Sequence, residues 1–174
     1  MVILLIGPAG SGKTSLGRRI AEVDGWVHIC EDDVWSEIGH PPHELRTPGG
    51  QALVHTKVGE RIRRAYDDGL NVLLEFLVYE NPPIRITHYQ DFLSAQAIPF
   101  ETRVIRPSLE KILERQSIRG RPSDRDTEAR RQNLEHQLSC LRTDLIEPEW
   151  VIDTSDETLE ESYVRHFADL VEPK

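Results

Sequence analysis

Five consecutive apolar residues, Val2-Ile3-Leu4-Leu5-Ile6, run directly into Gly7-Pro8-Ala9-Gly10-Ser11-Gly12-Lys13-Thr14, which satisfies the spacing G-x-x-x-x-G-K-[ST]. The first run reads as a buried strand. Leu16, Ile20 and Val23, spaced as on one helix face and followed by Asp24-Gly25, read as a helix. A glycine loop between a strand and a helix has a mechanical use. Its consecutive backbone N–H groups converge on phosphate oxygens, and the helix N-terminus adds its dipole. Lys13 reaches the β- and γ-phosphates, and the Thr14 hydroxyl ligates Mg²⁺. With ordinary glycine usage, a chance match in a chain of this length is on the order of one per cent or less. Gly7, Ala9, Gly10, Ser11, Gly12, Lys13, Thr14 and Ser15 are therefore the expected phosphate-binding residues. Gly17 reads either as a tolerated helical glycine or as a close-packing point.

The rest of the chain repeats the alternation of strand and helix. Trp26 to Cys30 is a short apolar run that ends on the acids of "CEDDVW". Residues 40–50, rich in proline and glycine, read as a loop. Val54, Val58, Ile62 and Ala65 mark a helix that closes at Asp67-Asp68-Gly69. "NVLLEFLV" is a third strand, residues 84–97 a helix and "FETRVI" a fourth strand; Ser108 can cap the helix after it. Leu134, Leu138, Leu141 and Leu145 predict a long helix, Pro148 stops it, and "WVID" is a fifth strand. Leu159, Tyr163, Phe167 and Leu170 predict a final helix. Strands apolar on both faces, alternating with helices, imply an α/β domain with a parallel sheet covered on both sides.

At 174 residues the chain suits one domain, residues 1–174, without repeats or a linker. The six apolar residues of "MVILLI" carry no basic flank and no cleavage site, so neither a signal peptide nor a membrane span is expected. Cys30 and Cys140 are far apart and in no metal spacing, which suits ordinary thiols in a reducing cytoplasm. A formal net charge of -9 disfavours extensive contact with a nucleic-acid duplex. It leaves room for a small anion held with a divalent metal.

Two further groups of residues carry chemistry. In open α/β sheets ligands bind beyond the carboxyl ends of the strands, where Asp32 and Asp33 follow the second strand. Either can orient an acceptor hydroxyl or take its proton; alternatively both cap a helix beginning near Val34. Glu75 lies at the end of an apolar strand, where a carboxylate needs a partner such as a metal-bound water, or is a salt-bridged rim residue. Seven arginines, from Arg106 to Arg131, cluster in an otherwise acidic chain. Arg119 and Arg121 flank Gly120 in a stretch that can close over a nucleotide and stabilise charge on a transferring phosphoryl group. Arg130, Arg131 and Arg61 read as solvated helix faces. His40 and His43 take no role.

With these residues assembled, "GPAGSGKT", the acids after the second strand, the Arg-rich "ERQSIRGRPSDRD" and the terminal strand and helix resemble small P-loop kinases of the nucleoside monophosphate kinase-like type. They resemble the shikimate kinase, gluconate kinase and chloramphenicol phosphotransferase group and, more broadly, the polynucleotide-kinase-like P-loop enzymes. The resemblance implies a five-stranded sheet in the order 2-3-1-4-5 within a three-layer α/β/α fold. It also implies ATP as donor and a lid over residues 116–127, with Asp33 orienting the acceptor hydroxyl and Arg115 near the adenine. "LVYENP" lacks the glycine triplet of shikimate kinases, and "EDDVWSE" lacks an arginine just behind the acid. The expected activity is ATP-dependent phosphorylation of a small-molecule hydroxyl with Mg²⁺. The alternatives are a nucleoside, nucleotide or nucleic-acid 5′-hydroxyl kinase, and an ATP-binding regulatory module.

Overall fold

The computed structural model describes residues 1–39, 47–120 and 127–172. The strands are β1 (Val2–Ile6), β2 (Trp26–Cys30), β3 (Asn71–Phe76), β4 (Phe100–Ile105) and β5 (Val151–Ile152). They form one parallel sheet in the order β2-β3-β1-β4-β5, as expected. The helices among the described residues are α1 (Lys13–Ile20), α2 (Glu31–Glu37), α3 (Pro48–Asp67), α4 (Ile84–Ala95), α5 (Leu109–Arg119), α6 (Thr127–Cys140), α7 (Leu159–His166) and α8 (Ala168–Val171).

β1 is the central strand, and all five of its residues are buried. Alternation along a strand sends its side chains to two cores. Val2, Leu4 and Ile6 meet Val54, Val58 and Ile62 of α3 and Ile86 and Leu93 of α4. Ile3 and Leu5 meet Leu16 and Ile20 of α1 and Tyr163 of α7. A small third cluster, Ile112 with Leu134 and Leu138, joins α5 to α6. The fold is thus the three-layer P-loop kinase arrangement, and it brings β1, β2 and β3 to a common carboxyl edge. No helix among the described residues is long and apolar enough to cross a membrane.

Several expected boundaries move, each for a local reason. α1 ends at Ile20, and Val23 sits in a turn where its N–H donates to the Ile20 carbonyl. α2 begins at Glu31 rather than near Val34, so Asp32 and Asp33 lie inside its first turn instead of capping it. α3 begins at Pro48, inside the expected 40–50 loop: the Thr47 hydroxyl accepts from the Gly50 N–H, and proline at the first helical position loses no bond. α6 stops at Cys140, and Leu145 beyond it is 48% exposed, so the leucine spacing overstated the helix. The final helix breaks at Phe167 into α7 and α8. Residues 116–119 of the expected lid belong to α5, which ends at Gly120 with φ 64. Thr127 opens α6, and residues 121–126, including Arg121, fall outside the described residues, as do His40 and His43.

Candidate active site

The loop between β1 and α1 is shaped by its glycines. Gly10 and Gly12 have φ of 90 and 106, where residues with a Cβ are strained. A Cβ on Gly7 would stand 2.5 Å from the Ile105 carbonyl oxygen, so the loop passes against the end of β4. Lys13 is 7% exposed, and its Nζ donates to the carbonyls of Gly7 and Pro8 at 2.8 and 3.0 Å. Burial lowers its pKa, while the charges of Glu75 and Asp32 oppose that shift. These carbonyls are neutral acceptors, and a phosphate oxygen makes a stronger, charge-assisted bond to the same ammonium. The buried Ser11 hydroxyl has no hydrogen-bond partner among the described residues. The ambiguity over Gly17 is resolved as close packing, since a Cβ there would lie 2.5 Å from His28 Nε2.

Glu75 is 4% exposed beneath this loop. The Thr14 hydroxyl donates to its Oε1 at 2.8 Å and the Cys30 thiol at 2.9 Å, while His28 Nε2 lies 3.3 Å from Oε2. Burial alone would raise the carboxyl pKa. The His28 ring, the Lys13 ammonium and the two hydrogen bonds outweigh it and hold Glu75 at about 2. The same burial and the bond to Glu75 push the Cys30 thiol up to about 12, so it stays protonated and unreactive. Cys30 is thus part of the site's hydrogen bonding. Among the described residues no group of three or more His, Cys, Asp and Glu surrounds a common point. Thr14 and Glu75 nevertheless offer a hydroxyl and an ionised carboxylate 2.8 Å apart, oxygen donors that suit Mg²⁺ completed by water and phosphate.

At the end of β2, α2 turns Glu31 inward and leaves Asp32 and Asp33 exposed. Asp32 lies within electrostatic reach of Lys13, Cys30 and Glu31. Buried Glu31 accepts from Arg85 Nη1 at 2.9 Å and from the Tyr89 hydroxyl at 2.7 Å, and the same Arg85 nitrogen donates to the Leu77 carbonyl. This buried pair escaped sequence reasoning; the available signal was a third acid at the strand end and a lone arginine just after Pro82-Pro83.

On the opposite side of the loop, Arg115 is partly buried and committed to backbone oxygens. Its Nη1 donates to Ser11 at 2.9 Å, and its Nη2 to Thr154 at 2.7 Å. Arg119 acts on Lys13 electrostatically. Together with Gly10 to Ser15, Ile118 and Thr154, these arginines line a cleft of about 620 Å³. Ile118 is 80% exposed there and offers an apolar face. Arg131 pairs with Glu135 at 3.0 Å and Arg61 with Glu37, both on the surface as expected. A larger concavity of about 1000 Å³ between α3 and α4, lined by His55, Gly59 and Phe92 among others, contains none of the expected site residues. Size therefore does not select the candidate site; the phosphate-loop motif does. Two side chains that sequence reasoning missed also touch the loop. Gln137 Oε1 accepts from the Ala9 N–H at 2.7 Å, and Gln116 Nε2 donates to the Ala9 carbonyl at 2.6 Å.

A family model described as an AAA domain matches residues 2–143. No curated protein sequence matches the chain significantly. Among solved structures, the fold is similar to the Deinococcus radiodurans tunicamycin resistance protein, with TM-score 0.71, 17% identity and coverage of 99% of this chain and 96% of that one. It is also similar to a sugar kinase from Janibacter sp. HTCC2649, with TM-score 0.64, 19% identity and coverage of 94% and 90%. A gluconokinase from Sinorhizobium meliloti 1021 gives TM-score 0.59, 20% identity and coverage of 92% and 85%.

Proposed function

The chain belongs to the AAA-domain family whose model spans residues 2–143, and on that premise we propose that it is an ATP-dependent kinase that transfers the γ-phosphate to a hydroxyl of a small molecule. The observation that carries this reading is the pairing of Lys13 and Thr14. One buried ammonium donates to neutral carbonyls of its own loop, and the adjacent hydroxyl lies on an ionised, buried Glu75. The similarity of fold to a sugar kinase and a gluconokinase supports a kinase in the general sense.

In this reading the N–H groups of Gly10 to Thr14 cradle the phosphates, and Lys13 leaves the Gly7 and Pro8 carbonyls for the β- and γ-phosphate oxygens. Thr14, and Glu75 directly or through water, would hold Mg²⁺, which would supply neutralisation of the phosphate charge. Ile118 packs on the base, and Arg115 fixes the wall of the cleft through Ser11 and Thr154. In this reading Asp32, whose charge acts on Lys13, serves the acceptor side. The acceptor oxygen attacks the γ-phosphorus, the bond to the β-phosphate oxygen breaks, and the hydroxyl proton passes to the Asp32 carboxylate. Arg119, with Arg121 from the adjoining segment, stabilises the charge that develops. Positioning and electrostatics suffice for this chemistry, and no nucleophilic side chain is required.

The test is transfer of label from γ-labelled ATP, with Mg²⁺, to a panel of sugars, nucleosides, nucleotides, amino sugars, phenolic alcohols and 5′-hydroxyl oligonucleotides, run beside Asp32→Asn. Label moving to one acceptor class in the wild type and not in the variant is the expected result. Tight ATP binding with no acceptor labelled would instead favour a regulatory nucleotide-binding module.

A further inference from the structure

Both polar groups of the Ala9 backbone are held from outside the loop. The acceptor at its N–H is Gln137 on α6, and the donor at its carbonyl is Gln116 on α5, at 2.7 and 2.6 Å. The two side chains are 2% and 3% exposed. Their orientations are chemically forced, since a backbone N–H only donates and a carbonyl only accepts. Gln137 also donates to the Tyr79 hydroxyl at 3.1 Å, which ties the same side chain to the segment after β3.

A trans peptide is a rigid plane in which the N–H and the preceding carbonyl point in opposite directions. Gln137 therefore sets the plane joining Pro8 to Ala9 and turns the Pro8 carbonyl the other way, where it accepts from the Ser11 N–H at 3.1 Å and from Lys13 Nζ at 3.0 Å. Gln116 sets the next plane and turns the Gly10 N–H away from itself, at a residue that lines the nucleotide cleft. The Gln116 stem presses on Gly10 so closely that a Cβ there would lie 2.7 Å from its Cγ.

We propose that Gln116 and Gln137 are positioning residues for nucleotide binding: a donor from α5 and an acceptor from α6 fix two successive peptide planes of the loop before any phosphate arrives, an inference that rests on the nucleotide-binding reading above. The requirement is opposite at the two sites. Position 116 must donate and position 137 must accept.

A single substitution type separates this from a general packing role. Glutamate keeps the acceptor that Gln137 supplies and removes the donor that Gln116 supplies, while adding the same charge at both sites. Binding of Mg·ATP by calorimetry and of adenosine by NMR titration is measured at pH 8 for wild type, Gln116→Glu, Gln137→Glu, Gln116→Met and Gln137→Met. Gln137→Glu should bind Mg·ATP more tightly than either Gln116→Glu or Gln137→Met, because its carboxylate still accepts from the Ala9 N–H although it no longer donates to Tyr79. Gln116→Glu and both methionine variants should bind it about threefold to tenfold more weakly than wild type, the effect of one neutral hydrogen bond, with adenosine affinity unchanged. Equal behaviour of the two glutamate variants, or adenosine weakening in parallel with ATP, would overturn the proposal. Wild type that does not bind ATP overturns the nucleotide reading and the clamp together; wild type that binds while all four variants match it overturns the clamp alone. If the methionine variants do not fold, the glutamate pair decides the matter.

Discussion

Lys13, Asp32 and Glu75 show how far a side chain's chemistry is set by its immediate partners. Lys13 is desolvated by burial, and its ammonium is shared between two neutral carbonyls. Lys13→Ala should lower turnover by about 10²-fold or more, the scale for losing one preorganised donor at developing charge, as steady-state kinetics would show. Asp32→Asn should lower kcat by about 10²- to 10⁴-fold and leave ATP affinity intact. Asp33→Asn should change kcat little; the reverse ranking would reassign the acceptor-side acid. Glu75 makes a prediction about pH. Its carboxyl is held at about 2 against a usual value of 4.5, so its ionised form is stabilised by folding. That contribution is present above about pH 4.5 and is lost as the pH falls toward 2. In urea unfolding, the stability gap between wild type and Glu75→Gln should therefore close across that window and stay constant above it.

At the scale of elements, two glycines in helices carry opposite expectations. Alanine in a helix interior is favoured over glycine by up to about 1 kcal/mol. Gly49, in the first turn of α3, has nothing within 4 Å of an added Cβ, so Gly49→Ala should raise the melting temperature slightly. Gly17 in α1 lies where a Cβ would stand 2.5 Å from the His28 ring of β2. Gly17→Ala should cost about 1–3 kcal/mol net through overpacking, and it displaces the ring that faces Glu75. Thermal unfolding of the two variants side by side checks both signs. Helix ends follow local rules as well: α7 opens with a complete capping box between Thr158 and Glu161, which sets its start whatever packs against it.

Over the whole molecule, the carboxyl edge of the sheet is held by the buried pair of Glu31 and Arg85, which joins the start of α2 to α4 and to the segment after β3. Burial pushes the Glu31 pKa up, and Arg85 and Tyr89 oppose that shift. Arg85→Leu strands a buried carboxylate and should cost about 3–5 kcal/mol in denaturant unfolding. Adding Glu31→Gln to Arg85→Leu should recover part of that loss, because the uncompensated charge is then gone; simple additivity of the two changes would mean that the pair does not interact.

The strands, the phosphate loop and most helices were legible in the sequence because each rests on neighbours in the chain, whereas the sheet order was implied by the resemblance to small P-loop kinases. An apolar run marks a buried strand, and the loop works through consecutive N–H groups, so residues 2–14 carry both the fold signal and the site signal. Ser108 announced a helix start in the same local way. The tertiary structure decided the rest. It put Asp32 within electrostatic reach of Lys13, turned Glu31 inward onto Arg85, 54 positions away, and gathered His28, Cys30 and Thr14 around Glu75. It also brought Gln116 and Gln137 onto Ala9 across 107 and 128 positions. No local pattern encodes such pairs: whether a polar side chain is worth burying depends on the partner that desolvation leaves it, and that partner is chosen only when distant segments pack.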